Sequence, residues 1–321
     1  MDDIKIEVFT GESLLQRDTE VLPLIEGYLW ERDVIMLFGN EKAGKSILAM
    51  QMACNVSAGG RFLGKYQCVK RPVIYLQTEG KKDETAKRLE SMMKAVGVDK
   101  NNFYRIYKKF LPLDVPEFIQ ALDRQIGTLP IKGGVLIIDC LYMAMMGDLN
   151  DNEAVRKFIG LLSHLLERHS LTCVLVHHAK RESRDEKGNE LSLGDKSSYG
   201  SVFLRANVDH ILFLEMQKDK TRVLKCDTQR SGLVSEREDL ILIQPSPLFF
   251  QIKGSMTPAQ EIVYWYISKE RITKPELVKL TGLSESSVDN SVKCLVSDNR
   301  INIVDEQKSH SGSFVKVYGV L

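Results

Sequence analysis

Short apolar runs alternate with stretches of helical periodicity from about residue 30 to residue 245. Runs such as "VIMLF" at 34–38, "GGVLIID" and "CVLVHH" are apolar almost throughout, which is typical of strands that are buried on both faces of a sheet. Between these runs, apolar residues recur at helical spacing over 155–166, and a charged helix is predicted over about 83–96. The alternation predicts an α/β fold, with a mostly parallel sheet covered by helices on both faces.

The pattern changes toward the end of the chain. "RVLKCD" and "LILIQP" are predicted to close the sheet as an antiparallel pair. The next stretch, "QPSPLFFQIKGSMTP", breaks the alternation and is interpreted as a linker. We therefore predict a large domain over residues 1–245, a linker over 246–257 and a small domain over 258–321.

The small domain has the pattern of three helices and a β-hairpin. A helix is predicted over about 258–269, and Thr273 and Glu276 have the spacing of a capping box at the start of the next helix. Gly282 stands where that helix would stop, and a third helix is predicted over 284–297. "INIV" and "FVKVYGV" then flank a polar loop, as the two strands of a hairpin would. This order predicts a winged-helix domain.

Composition narrows the class of protein without pointing to a function. The 321 residues carry a formal net charge of +1, so any binding to nucleic acid or membrane must come from local patches. Six cysteines are scattered without a CxxC pair, which favours reduced thiols in the cytosol over disulfides or a zinc site. The start lacks a signal-peptide pattern, and no apolar run approaches the ~20 residues that span a bilayer. We expect a soluble cytoplasmic protein.

One motif stands between the first predicted strand and the helix that follows it. Its sequence, GNEKAGKS, fits the phosphate-binding pattern G-x-x-x-x-G-K-[ST]. We expect backbone N–H groups to cradle the phosphates of ATP, Lys45 to reach the β- and γ-phosphates, and the Ser46 hydroxyl to hold Mg²⁺. A chance match in a Gly- and Lys-rich turn is disfavoured, because a strand and a helix fall on the correct sides. The predicted nucleotide-binding residues are Gly39, Asn40, Glu41, Lys42, Ala43, Gly44, Lys45 and Ser46.

Two carboxylates stand at the ends of later strands. Asp139 follows "VLII" at the carboxyl end, where ligands sit in open α/β sheets, and is expected to bind Mg²⁺ through the metal's water shell. Glu79 follows "VIYLQT" and is well placed to orient and deprotonate a water that attacks the γ-phosphate. The alternatives are a solvated Asp139 that merely ends a strand, and a Glu79 in a surface turn.

Two histidines end the run "CVLVHH". One of them is expected to sense the γ-phosphate, because an imidazole hydrogen-bonds an anionic oxygen directly. The alternative is an ordinary core or surface histidine. Metal binding by His177 and His178 together is not expected, because neighbouring residues of a strand point to opposite faces.

These motifs together resemble those of the RecA-like ATPases, in particular the branch of the RepA replicative helicases. The resemblance covers about residues 20–245, and it rests on "EGYLWERDVIMLFGNEKAGKS", "VIYLQTEG", "VLIIDC" and "VLVHHAK…GDKSSYGSVFLRANVDHILFLE". It implies that the 1–245 domain is a RecA-like ATPase domain and that Glu79 is the catalytic base. It also implies that a histidine at the strand end is the sensor, for which His178 is preferred over His177.

The resemblance further implies a ring of subunits. Relatives of this type insert an arginine from a neighbouring subunit into the ATP site. "KCDTQRSG" is similar to the strand-end K-Q-R-x-G of hexameric helicases, which makes Arg230 the corresponding arginine, although Thr228 stands where those helicases often have Lys. A homo-oligomer is therefore expected, with a hexameric ring favoured, and a monomer is expected to hydrolyse ATP poorly.

In that family the loops after Asp139 and His178 hold single-stranded DNA. "AKRESRDEKGNELSLGDKSS" is predicted to be such a loop, and its basic residues would pair with phosphates. It contains as many acids, so plain solvated loop charge is the alternative. The residues predicted to contact DNA here are Lys180, Arg181, Arg184 and Lys196.

The small domain has a partner of less certain class. Its helix over 284–297 would enter a major groove, with Lys293 among the contacts. Residues 255–321, however, contain eight Lys and Arg and eight Asp and Glu, whereas DNA-binding domains are usually more basic. Winged helices also bind proteins, so duplex DNA and a protein partner are both expected classes.

The sequence thus predicts an oligomeric, Mg²⁺-dependent ATPase that associates with DNA. A replication helicase or loader of a plasmid, phage or mobile element fits this description. The first alternative is a recombination ATPase that forms filaments on DNA, and the second is a regulator in which ATP switches a winged-helix DNA binder.

Overall fold

The computed structural model describes most of the chain. The described residues are 8–15, 21–178, 202–229, 238–254, 256–298, 300–308 and 314–320. Some of the predicted site residues lie outside these ranges, namely Arg230, Lys180, Arg181, Arg184 and Lys196.

The described part of residues 8–178 consists of alternating helices and strands. The helices are Gly11–Leu15 (α1), Lys45–Ala58 (α2), Lys82–Val96 (α3), Pro116–Gly127 (α4) and Asn152–His169 (α5). The strands are Pro23–Ile25 (β1), Leu29–Trp30 (β2), Val34–Gly39 (β3), Arg61–Phe62 (β4), Tyr66–Gln67 (β5), Val73–Gln77 (β6), Phe103–Tyr107 (β7), Val135–Asp139 (β8) and Thr172–His178 (β9). The charged helix predicted over about 83–96 is confirmed as α3.

The second half adds one short helix, four strands of the large sheet and a separate group of elements. The helix and the four strands are Val202–Ala206 (α6), His210–Met216 (β10), Arg222–Gln229 (β11), Leu240–Ser246 (β12) and Phe249–Ile252 (β13). The separate group is Pro258–Lys269 (α7), Ile272–Thr273 (β14), Lys274–Thr281 (α8), Glu285–Ser297 (α9), Asn302–Lys308 (β15) and Phe314–Gly319 (β16).

Within the described ranges, nine strands form one mixed sheet in the order β13-β12-β11-β10-β3-β9-β8-β6-β7. The strands from β10 to β7 in this order are parallel, and β11, β12 and β13 extend the β10 edge in antiparallel fashion. The carboxyl ends of β3, β9, β8 and β6 lie side by side, since Gly39 pairs with His178 and Asp139 with Gln77. The mostly parallel sheet is confirmed, as is the antiparallel pair of β11 and β12.

Two apolar cores lie on opposite faces of this sheet. Residues of β3 divide between them in strict alternation, as the pleat of a strand requires. Ile35 and Leu37 belong to the core that contains residues of α2 and α3. Met36 and Phe38 belong to the core that contains residues of α4 and α5. Helices therefore cover both faces, as the sequence predicted.

The predicted linker over 246–257 is wrong in part, because residues 249–252 form the edge strand β13. Phe250 is 2 % exposed and belongs to the same core as α2. Its backbone N–H donates to Gln51 Oε1 at 2.9 Å, and Gln51 Nε2 donates to its carbonyl oxygen at 2.8 Å. The prolines and polar residues around "LFF" suggested a linker, but the two aromatic residues complete the sheet.

Residues 256–320 have an apolar core of their own, which joins the three helices to a three-stranded sheet of order β14-β16-β15. The backbone N–H of Thr273 donates to Glu276 Oε2 at 2.9 Å, so the predicted capping box is present at the start of α8. Gly282 ends α8 with φ of 68°. The predicted helices and hairpin are thus observed, and the assignment of these elements to the winged-helix class stays a prediction.

Across the described ranges, no helix combines the length and the apolar character that crossing a membrane requires. The six cysteines are free thiols, in agreement with the absence of a CxxC pair. Four of them are buried, namely Cys54, Cys68, Cys140 and Cys173.

Candidate active site

The loop between β3 and α2 has the geometry of a phosphate-binding loop. A Cβ at Gly39 would lie 2.1 Å from the carbonyl oxygen of Leu214, so only glycine fits beside β10. Gly44 has φ of 102°, and a Cβ there would lie 2.6 Å from the ring of Phe250. Because α2 begins at Lys45, the N–H groups of its first turn have no acceptor within the helix. These groups form a positively polarised cradle that suits phosphate.

Lys45 is folded against this loop. Its side chain is buried, and Nζ donates to the carbonyl oxygens of Gly39 at 2.8 Å and Asn40 at 2.7 Å. Burial lowers the pKa of Lys45 to about 8, against the nearby charges of Asp139 and Glu79, which raise it. A buried ammonium that is held by two neutral carbonyl groups is a strong donor for the anionic oxygens of a phosphate.

Asp139 is the buried carboxylate of the site, and both of its oxygens accept a hydrogen bond. The Ser46 hydroxyl donates to Oδ1 at 3.1 Å, and the hydroxyl of the fully buried Tyr75 donates to Oδ2 at 2.5 Å. Burial raises the pKa of Asp139, whereas these two hydrogen bonds lower it. A hydroxyl and a carboxylate are the hard oxygen donors that Mg²⁺ prefers, so Ser46 and Asp139 fit a magnesium ion.

Glu79 lies just beyond the carboxyl end of β6, where its carboxylate meets the end of β9. Its Oε1 is 3.2 Å from Nε2 of His178, and the two side chains are 39 % and 31 % exposed. The hydrogen bond from His178 is the main cause of the lowered pKa of Glu79, which burial opposes and the Cys140 thiol reinforces. The site therefore holds an ionised, partly exposed carboxylate beside Lys45.

The backbone around Glu79 is fixed by side chains of its own loop. Gln77 Nε2 donates to the carbonyl oxygen of Glu79 at 2.7 Å and to Thr85 Oγ1 at 2.9 Å. The Thr78 hydroxyl donates to the carbonyl oxygen of Cys140 at 2.8 Å, which ties this loop to the end of β8. Such contacts hold a carboxylate in place before a substrate binds.

The two neighbouring histidines have different surroundings. His177 is buried and packs against Phe38, with ring centroids 5.5 Å apart, and burial lowers its pKa to about 3. His178 reaches the site edge and contacts Glu79. In the described part of the chain, neither Nδ1 has a hydrogen-bond partner. The geometry favours His178 over His177 at the phosphate end of the site, and its role as sensor stays a prediction.

The antiparallel strands support the phosphate-binding loop from the side. Arg222 of β11 donates from Nε to the carbonyl oxygen of Ala43 at 3.1 Å. Its guanidinium carbon lies 5.5 Å from the ring centroid of Phe250, the residue that touches Gly44. Strands far along the chain thus form one wall of the loop.

Lys293, the predicted DNA contact of α9, is paired within its own unit. Its Nζ lies 2.5 Å from Asp289 Oδ2, and Lys274 Nζ contacts the other oxygen of Asp289. Lys293 also borders a cleft between α9 and the β12–β13 strands, lined in part by Ile243 and Gln251. Its contact with DNA stays a prediction.

Sequence reasoning missed three residues that contact this site. Tyr75 holds Asp139, Phe250 packs against Gly44, and the Cys140 thiol donates to Glu79. Cys140 had a usable signal, because it directly follows the carboxylate that ends β8. Tyr75 had none, since an aromatic residue inside an apolar strand is normally core.

The strand order, the loop between a central strand and its helix, and the carboxylates at neighbouring strand ends define a P-loop ATPase with a RecA-like fold. The chain belongs to the AAA_25 family, whose model is described as an AAA domain and matches residues 4–184. Among solved structures, it is similar to one described as the ATPase domain of a helicase. That similarity has a TM-score of 0.53 and 15% identity, and it covers 75% of this chain and 95% of the other. No curated protein sequence matches the chain.

Proposed function

We propose that this protein is a Mg²⁺-dependent ATPase whose hydrolysis is coupled to DNA, as in an oligomeric replication helicase or helicase-like ATPase of a plasmid, phage or mobile element. One observation carries the proposal. The carboxylate of Glu79 reaches across the end of β8 to His178 and lies close enough to Lys45 for their charges to interact. An ionised carboxylate beside a phosphate-binding lysine suits hydrolysis by water.

The residues divide the work among binding, metal holding and water orientation. The N–H groups from Gly39 to Ser46 and the Lys45 ammonium would bind the phosphates. Ser46 and Asp139 would hold Mg²⁺, Asp139 through a water, and Tyr75 would fix the carboxylate. Bound Mg²⁺ would neutralise charge that develops on the phosphoryl oxygens.

Glu79 would orient the attacking water and accept its proton. Because its pKa is lowered, the carboxylate is a weak base, and orientation is its larger contribution. This is sufficient for phosphoryl transfer, in which positioning and electrostatics dominate. His178 would hold Glu79 and respond to the γ-phosphate through their shared contact.

Coupling to DNA is proposed from the sequence. Lys180, Arg181, Arg184 and Lys196 lie outside the described residues, in a basic and acidic segment that follows His178. Single-stranded DNA would meet this segment, and the phosphates would pair with the basic side chains.

Assembly is proposed on the same basis. Arg230 would complete the ATP site of a neighbouring subunit, and a hexameric ring is the favoured homo-oligomer. The elements of residues 256–320 would form a winged helix that binds duplex DNA or a protein partner. The cytoplasm is the proposed compartment, because buried and free thiols persist there in reduced form.

Two other functions use the same site differently. A recombination ATPase would form filaments on DNA and hydrolyse ATP without unwinding. An ATP-switched regulator would bind DNA through residues 256–320 and use hydrolysis only to reset itself. Their ATPase activity would respond to DNA strongly in the first case and weakly in the second.

The test measures steady-state ATP turnover of the full chain with and without single-stranded DNA, together with its mass in solution. We expect turnover to rise with DNA and the mass to exceed that of a monomer. Turnover that ignores DNA would favour the switch, and the absence of turnover would reject the proposal. A strand-displacement assay on the active form then separates a helicase from a filament former.

A further inference from the structure

Three side chains of different chemistry converge beside the phosphate-binding loop. They are the carboxylate of Glu79, the thiol of Cys140 and the imidazole of His178, and one ligand atom from each lies within 4.8 Å of the others. Cys140 is fully buried at the end of β8, whereas Glu79 and His178 are partly exposed. The thiol thus forms the floor of a small cluster that is open on the side of the two polar groups.

The spacing suits a tetrahedral ion. Ligand atoms at about 2.0–2.3 Å from Zn²⁺ in a tetrahedron lie about 3.3–3.8 Å from one another. Nε2 of His178 and Oε1 of Glu79 are already 3.2 Å apart. The Cys140 thiol donates a hydrogen bond to Glu79, so its sulfur faces the same point.

The ligand types distinguish this cluster from the magnesium site. Sulfur and imidazole nitrogen are ligands of Zn²⁺ and similar softer ions, whereas Mg²⁺ prefers oxygen alone. The Ser46 and Asp139 pair offers oxygen only. Lys45 brings positive charge nearby, but the carboxylates of Glu79 and Asp139 offset it.

We propose that Glu79, Cys140 and His178 form an inhibitory site for a thiophilic divalent cation such as Zn²⁺. The ion would bond to Oε1, Sγ and Nε2 and keep a water as its fourth ligand. It would take the place of the thiol proton, which leaves to solvent, and no electron is transferred.

Binding of this ion and hydrolysis exclude one another. An ion bonded to Glu79 occupies the carboxylate that orients water, and it also takes His178 away from its contact with Glu79. This regulatory consequence rests on the proposed ATPase function, whereas the binding of the metal does not.

The test uses Co²⁺ as a spectroscopic substitute for Zn²⁺ in the reduced full-length protein. One equivalent of Co²⁺ should produce the near-ultraviolet charge-transfer band of a cobalt–thiolate bond, and Zn²⁺ should remove it. Cys140→Ser should lose the band. Cys294→Ser, which changes a partly buried thiol on α9, should keep it.

A second variant covers the case in which Cys140→Ser does not fold. His178→Asn keeps the thiol, so it should retain the band but weaken Zn²⁺ affinity about 10-fold or more, measured by competition with a chromophoric chelator. A wild-type protein without the band, a band that survives Cys140→Ser, or unchanged affinity in His178→Asn would each overturn the site.

Turnover separates this proposal from the function on which it rests. Zn²⁺ should inhibit wild-type ATP hydrolysis at the concentrations that displace Co²⁺. Inhibition that requires far more Zn²⁺ would reject the regulatory role. If the protein showed no turnover at all, the ATPase proposal would fail, yet the cobalt spectrum would still decide whether the metal site exists.

Discussion

The carboxyl edge of the large sheet and the surface of α9 both bring charged side chains together, but they do so in different solvent. At the sheet edge, Lys45 is 3 % exposed and Asp139 is 4 % exposed. On α9, Lys293 is 68 % exposed, and the pair it forms with Asp289 is open to water. Burying charge is costly unless it is well paired, whereas surface pairs form with little cost or gain.

This difference separates chemistry from solubility. A buried lysine and a buried carboxylate at neighbouring strand ends would be an unfavourable arrangement for a purely structural protein, so their presence points to a function. The Lys274–Asp289–Lys293 group has the character of an ordinary solvated surface. It explains why the charge pattern of α9 gives no clear choice between DNA and a protein partner.

The largest effect is expected from removing the buried ammonium. Lys45→Ala should weaken ATP binding about 100-fold or more, because a charge-assisted contact with the phosphates is lost. A fluorescent nucleotide titration measures this. Lys94→Ala, which removes an exposed lysine paired with Glu90 on α3, is the matched control and should bind ATP normally. Equal affinity in both variants would remove the difference between buried and exposed charge.

Phe250 tests the wall of the site. Phe250→Ala should lower the free energy of unfolding by about 3–5 kcal/mol, because it leaves a cavity against Gly44 and α2. Urea unfolding measures the loss. Phe249→Ala changes the neighbouring, only partly buried ring and should have a clearly smaller effect. Similar small losses for both would mean that β13 does not support the loop.

Tyr75 tests how firmly Asp139 is held. Tyr75→Phe removes only the hydroxyl that donates to the carboxylate, and the free energy of unfolding should fall by about 1.5–3 kcal/mol. The Mg²⁺ concentration that gives half-maximal ATP turnover should also rise. Tyr104→Phe, whose hydroxyl donates to a carbonyl oxygen near the surface, should change neither quantity by as much. A Mg²⁺ requirement that is identical to wild type would show that Tyr75 does not position the metal ligand.

The smallest effect is expected at the exposed pair. Lys293→Ala should leave the urea midpoint of unfolding nearly unchanged, since exposed ion pairs contribute little. If α9 binds duplex DNA, this variant should weaken binding across sequences and reduce the salt slope by about 1, whereas Lys279→Ala on α8 should not. Anisotropy of labelled duplex measures both the affinity and the salt slope. Identical binding by the two variants would favour a protein partner.

The sequence was sufficient for the parts of this fold that depend on local pattern. Apolar strands, the P-loop and the carboxylates after β6 and β8 are each written in a few consecutive residues. The capping box at Thr273 and the glycine stop at Gly282 are of the same kind.

Long-range contacts were not predictable in this way. The hydrogen bond from Tyr75 to Asp139 joins residues 64 positions apart, and the bonds between Gln51 and Phe250 join residues 199 positions apart. No local periodicity encodes either contact, and the prolines near Phe250 suggested a linker instead. The choice of His178 over His177 likewise depended on which ring faces Glu79, which only the fold shows.

The most direct test of the account is ATP hydrolysis by Glu79→Gln, with ATP binding measured on the same sample. The amide keeps the shape of the side chain but cannot accept the proton, so binding should persist while turnover falls about 10²–10⁴-fold. Glu84→Gln, the same change at an exposed position on α3, should leave turnover unaffected. Normal turnover in Glu79→Gln would contradict the central claim that this carboxylate directs water at the terminal phosphate.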